Sequence, residues 1–182
     1  VFTKCYALAE WKFRYVVPLG ISYYTFSAVG YLADVYWGKE KAEKNVGKLL
    51  LFLLYFPKIL QGPIAKHRNL APRLEEGHVF CYRDFCFGIQ LAIWGYFKKI
   101  VIADRAAIFT SSVFADDTAF GGAVLLLGTV LAAVQLYCDF SGCMDIAAGI
   151  SQMFGIRLEK NFDHPFFAKS AAEFWRRWQI TL

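Results

Sequence analysis

Residues 135–182 read QLYCDFSGCMDIAAGISQMFGIRLEKNFDHPFFAKSAAEFWRRWQITL. The stretch opens as the tail of an apolar segment and sets Asp139, Ser141 and Asp145 among small, apolar neighbours. It closes on Glu173-Phe174-Trp175-Arg176-Arg177-Trp178-Gln179. If the apolar segment lies in a bilayer, the polar groups sit at or near membrane depth. An ionisable residue there costs about 2.5–3.5 kcal/mol on insertion scales and usually lines a cavity or a path. The alternative is that Asp139 and Asp145 cap short helices or stand in headgroup water. What surrounds the stretch decides between a membrane fold and a soluble one.

The surroundings are apolar. The chain has 182 residues, 57% hydrophobic, 18% aromatic and 19% charged, with a mean hydropathy of +0.37. A soluble domain carries about 25% charged residues, and one domain of this size would have to hide apolar runs too long for it. The formal net charge of +5 fits cytoplasmic loops and anionic headgroups. No basic tract is interleaved with aromatics on a polar surface, which argues against nucleic acid as a partner.

Residues 16–37 form the first long apolar run, the length of a spanning helix of about 20 residues, with Pro18 suited to a first turn. Residues 38–48 form a short basic loop, expected to be cytoplasmic. Residues 49–60 are intensely apolar, but as helix they would rise only about 18 Å against a hydrocarbon core of about 30 Å. Basic loops flank them on both sides, so they are expected to enter and leave on one side as a re-entrant element. Residues 85–97 and 100–114 are apolar with Lys98 and Lys99 between them. Either one tilted helix snorkels its lysines or two shorter elements meet at an interface. Asp116-Asp117-Thr118 is a candidate non-cytoplasmic turn. Residues 119–138 are a charge-free span, rich in the Gly and Ala that allow close helix packing. The basic remainder would then return to the cytoplasmic side. Residues 171–182 are expected to be helical, with Glu173 and Arg177 four apart and able to pair, and Trp175 and Gln179 sharing that spacing. Bottom-up, this segment reads as an amphipathic interfacial helix.

The fold class is therefore all-α, a polytopic membrane helical bundle with re-entrant and interfacial helices. Residues 1–182 read as one membrane-embedded segment. The opening on Val1 and the stop at Leu182, one turn into a Trp-rich helix, suggest truncation at both ends.

Soluble-enzyme signatures do not occur. There is no Gly-rich phosphate loop, no G-x-S-x-G elbow around Ser141, and no His-x-x-x-His or Cys-x-x-Cys pair. The five cysteines, Cys5, Cys81, Cys86, Cys138 and Cys143, lack zinc spacing and read as small, reduced, buried side chains. No metal is expected. His67 and His78 read as surface residues of polar loops. His164 reads as structural, because a residue before proline favours extended backbone.

The order of motifs adds a resemblance. Tyr137-x-Asp139-Phe140-Ser141-Gly142-x-x-Asp145, then Phe154-Gly155-Ile156-x-Leu158-x-x-Asn161-Phe162, then Glu173-Phe174-Trp175-Arg176-Arg177-Trp178 resemble the membrane-bound O-acyltransferase family. The likeness is closest to its bacterial branch of alginate O-acetylases and D-alanyl-lipoteichoic acid transfer proteins. It continues backward through Phe97-Lys98-Lys99-x-x-Ile102-Ala103-Asp104, Gln61-Gly62-Pro63-Ile64, Phe56-Pro57 and Pro18-Leu19-Gly20-Ile21-Ser22.

The resemblance implies a multi-pass protein of the bacterial plasma membrane. It would move an acyl group, acetyl in the leading reading, from a cytoplasmic thioester donor to a hydroxyl of an exported polysaccharide. The implied partners are membrane lipid, the acyl donor or an acyl carrier protein, and an exported glycan or other periplasmic or extracellular acceptor. The donor is a co-substrate, and no cofactor is implied. Asp139, Ser141, Asp145, Asn161, Glu173, Arg176, Arg177 and Gln179 would support a tunnel or active site. The family commonly has His or Asn where Gln179 stands, and Gln cannot act as a base at neutral pH. The family's catalytic His is expected beyond Leu182, so no catalytic residue falls within the chain. The alternatives are D-alanyl transfer toward teichoic acid, and a non-catalytic membrane protein or transporter.

Overall fold

The computed structural model describes residues 20–59, 61–116 and 120–181. Among them the regular structure is helical and no strand occurs. The chain enters through Gly20, at φ 76, where an added Cβ would collide with the Ile59 carbonyl. Helix α1 then runs Ile21–Tyr36. The start of the expected first span, with Pro18, lies outside the described residues.

The expected re-entrant stretch is broken, as its length requires. Helix α2, Val46–Leu53, begins where the Asn45 side chain accepts from the amides of Gly47 and Lys48 at 2.9 and 3.4 Å. Helix α3, Phe56–Ile59, follows after a turn. Eight residues of α2 rise about 12 Å, well short of a crossing. Helix α4, His67–Glu75, then lies against the start of α2. Lys48 Nζ pairs with Glu75 at 2.5 Å, and Glu40 of the first basic loop pairs with His67. The segments before and after the apolar stretch therefore sit side by side.

His67 corrects the surface reading. It is buried, its ring 4.8 Å from Tyr31 and 4.9 Å from Phe52 between centroids. The first turn of α4 docks on the core of Tyr31, Phe52, Tyr55, Leu70 and Ile156, and a histidine can be buried there because Glu40 satisfies its Nδ1. His78 does lie at the surface, donating from Nε2 to the Arg73 carbonyl at 2.6 Å.

Residues 82–115 settle the choice between one helix and two. Helix α5, Tyr82–Tyr96, continues through a π-helical segment, Phe97–Ala103, into α6, Asp104–Ala115. Helix α7 is a 32-residue rod, Gly122–Met153, and not the shorter span of 119–138. Asp139, Ser141 and Asp145 are therefore mid-helix residues rather than caps. Both rods are long and apolar enough to cross a membrane. They run antiparallel and touch through glycines. A Cβ on Gly88 would lie 2.5 Å from the Gly149 carbonyl, and one on Gly95 would lie 2.5 Å from the Gly142 carbonyl. Each pair is seven residues apart on its helix, two turns, so one face of each rod lies against the other. Small residues permit this approach where lipid offers no hydrophobic drive for association. Ile93, Ile108, Leu126 and Val130 stay exposed on the outer faces.

Cys138 is buried and Cys86 and Cys143 half-buried, all as free thiols, but Cys81 is exposed at the start of α5. Cys5 and residues 117–118 of the acidic turn lie outside the described residues. After α7 come a 3₁₀ turn, Pro165–Phe167, and α8, Ala171–Arg177. The last helix stops earlier than its pattern suggested. Gln179 adopts φ 48, and the chain folds back so that the Ile180 amide reaches the Asn161 carbonyl at 2.9 Å. Gln179 is thus not on the helix with Trp175. His164 also departs from expectation, at φ 47, because its carbonyl closes the 3₁₀ turn on the Phe167 amide.

Candidate active-site cavity

Two adjacent lysines in the middle of a long apolar helix need partners, and α7 supplies them. Lys98 pairs with Asp145 and donates to Ser141 Oγ at 3.2 Å. Lys99 pairs with Asp139 at 2.7 Å and with Asp104 at 2.8 Å. The π segment explains the second contact. In an α-helix, residues five apart point about 140° away from each other. A π turn closes i to i+5, which stacks Lys99 over Asp104, and the Asp104 amide accordingly bonds to the Lys99 carbonyl. The lysines do not snorkel. They are held midway along Tyr82–Ala115 by acids midway along Gly122–Met153.

A cavity of about 400 Å³ opens beside this network. Lys98, Ser141 and Asp145 form its charged wall, with Tyr137, Met144 and Ala148 on the same helix and Leu91 and Trp94 opposite. Residues 157–162 cross its end. Asn161 is buried there, its Oδ1 accepting from the Thr181 amide at 3.1 Å and the Thr181 hydroxyl at 2.7 Å. Thr181 Oγ1 in turn accepts from the Ile64 amide at 3.2 Å. One buried amide thereby ties the cavity's end to the last residues and to the Gly62-Pro63-Ile64 turn.

The structure sorts the sequence-derived site residues into two groups. Ser141, Asp145 and Asn161 line the cavity, while Asp139, on the same helix as the first two, pairs with Lys99 outside the lining. Glu173, Arg176, Arg177 and Gln179 do not line it. Glu173 pairs with Arg177 at 2.6 Å and accepts from the Lys169 amide at 2.8 Å. That amide first, and then the guanidinium, hold its carboxyl below the ordinary range. Ser170 caps the same helix through the Glu173 amide. Arg176 is exposed, its Nε reaching only the Ala172 carbonyl at 3.4 Å. Helix α8 instead meets α7 through rings. Trp178 contacts Tyr137, Phe162 and Phe166, and stacks on Phe174 at 5.5 Å. Among the described residues no histidine lines the cavity and no cluster of metal-ligating side chains occurs. Lys98 and Lys99 were not among the residues the sequence singled out for the site. Their signal was there, two cations in one apolar run and two acids in the next.

No family model matches the chain. Curated proteins do. A probable alginate O-acetylase of Pseudomonas syringae is 36% identical over 92% of this chain and 32% of its own length. A peptidoglycan O-acetyltransferase of Helicobacter pylori is 33% identical over 92% of the chain and 37% of its own length. A teichoic acid D-alanyltransferase of Bacillus subtilis is 30% identical over 90% of the chain and 42% of its own length. The chain belongs to the membrane-bound O-acyltransferase family. It spans about a third of the length of the alginate O-acetylases it matches. The stretch matched to these relatives contains the glycine contacts, the lysine–aspartate pairs and the cavity, since the match covers nine-tenths of the chain.

Proposed function

We propose that this chain supplies part of the acyl-transfer path of a membrane O-acyltransferase, with the cavity beside Lys98, Ser141 and Asp145 as a section of that path. The transferred group is acetyl, the donor a cytoplasmic thioester, and the acceptor a hydroxyl of an exported polysaccharide. The observation that carries the reading is the ion-paired charge network at mid-helix beside a cavity. Such charges are costly in a bilayer and are kept where a polar path needs them. The names of the relatives support acyl transfer to envelope polymers.

In this reading the chain's own residues shape and position. Asp145 fixes the Lys98 ammonium against the cavity wall, Ser141 offers a hydroxyl beside it, and Asn161 holds the far end closed. Glycine packing brings the two walls together. The base that activates the acceptor hydroxyl, worth about 10²–10⁴ in rate, would be a histidine supplied from outside these residues.

Deletion of the full-length gene, followed by mild alkaline release of esters from the exported polysaccharide, tests the reading. The expected result is loss of acetate, restored by the wild-type gene. Loss of D-alanine esters instead assigns the chain to teichoic acid alanylation. Unchanged esters of both kinds would overturn the proposal.

A further inference from the structure

The charged cavity shares Leu91, Trp94, Gln152 and Arg157 with a second, more open groove of about 580 Å³. The groove follows one stripe of α5. Arg83, Phe87, Leu91 and Trp94 recur at helical spacing, and the same stripe continues to Lys98. At its head stand Arg83, Asp84 and Arg157. Arg157 Nη2 reaches Asp84 at 3.2 Å. Arg83 is exposed and has no ion pair or hydrogen bond among the described residues. The head therefore carries one cation more than its acid neutralises.

Dimensions narrow the occupant. From Phe87 to Lys98 the helix rises about 16 Å. Half of a hydrocarbon core of about 30 Å is about 15 Å, so the stretch from Phe87 to Lys98 matches one leaflet. With Lys98 near the centre of a bilayer, the guanidinium groups would stand where headgroups begin. Basic pockets between spanning helices recognise anionic lipid headgroups, whereas a free phosphate would leave the apolar floor unused. We propose that this groove holds one anionic phospholipid, its phosphate on Arg83 and Arg157 and one acyl chain along Phe87, Leu91 and Trp94. The lipid closes the open side of the cavity.

Native mass spectrometry of the detergent-purified full-length protein tests this, with phosphatidylglycerol and phosphatidylcholine as probes. The wild type is expected to retain phosphatidylglycerol at least tenfold better. Arg83→Gln, at an exposed position, should weaken retention about fivefold. Leu91→Trp, which fills the groove, should abolish it; if that variant elutes as aggregate, Arg83→Gln alone decides. The proposal is overturned if Arg83→Gln retains phosphatidylglycerol as the wild type does, or if the two lipids bind alike. Absence of bound lipid, as when another segment of the longer protein fills the groove, overturns it equally. The readout is binding, so it stands or falls separately from acyl transfer.

Discussion

Gly95→Leu is expected to remove most of the folded full-length protein from the membrane. The Cβ alone would come within 2.5 Å of the Gly142 carbonyl and 2.8 Å of the Ile146 amide nitrogen. Both are backbone atoms of α7 and cannot rotate aside. Overpacking a tight contact costs about 1–3 kcal/mol even where side chains can yield, and here the rods themselves must separate. Separation would also pull Lys98 and Lys99 from their acids, so the steric and electrostatic losses add. Gly128, on α7, supplies the contrast. A Cβ there meets Val113 Cγ1 at 3.1 Å, a side-chain atom that can shift, so Gly128→Ala should cost little. Thermal melting of the detergent-solubilised variants measures both. A Gly95→Leu protein that melts with the wild type would mean that the two rods are not in backbone contact.

The second large effect concerns the ion pair beside the cavity. Lys98→Met leaves the Asp145 carboxylate half-buried without its ion-pair partner, and the Ser141 hydroxyl without its donor. Removing one member of a buried pair typically costs about 3–5 kcal/mol, while replacing both by apolar groups is often neutral. Lys98→Met and Asp145→Leu should therefore each destabilise the full-length protein strongly, and the double variant should recover most of the loss. Acyl transfer should not recover with it, because the cavity wall has lost its charge. A double-mutant cycle on melting gives the coupling directly. Additive losses would show that the two groups do not act as a pair.

The class of fold was legible because composition and run length respond to the bilayer itself. The broken stretch 49–60 was legible for a similar reason: twelve residues cannot span, and basic loops on both sides tell where the ends lie. What sequence could not show depends on partners distant along the chain. Asp139, Ser141 and Asp145 looked like the end of a span, and α7 was expected to stop at residue 138. It runs on to Met153 because Lys98 and Lys99, some forty residues earlier, neutralise the acids. The π segment escaped notice for the same reason. Its register follows from Lys99 serving both Asp104 and Asp139. His67 sat in a polar loop by its neighbours, while its partner Glu40 came from another loop. Gln179 fitted a helical pattern, but a competing hydrogen bond to Asn161 turned the chain. Of the expected site residues, Ser141, Asp145 and Asn161 line one cavity, while Asp139 pairs with Lys99. Those on α8 face their own capping and ring contacts instead.

The most direct test is the rate of acyl transfer by reconstituted full-length protein carrying Ala148→Trp. Ala148 lines the cavity, carries no polar group, and an indole there would fill it. With an acetyl thioester donor and the exported glycan as acceptor, transfer should fall by about 10²-fold or more, with the melting temperature close to wild type. Transfer at the wild-type rate would contradict the assignment of this cavity to the acyl-transfer path.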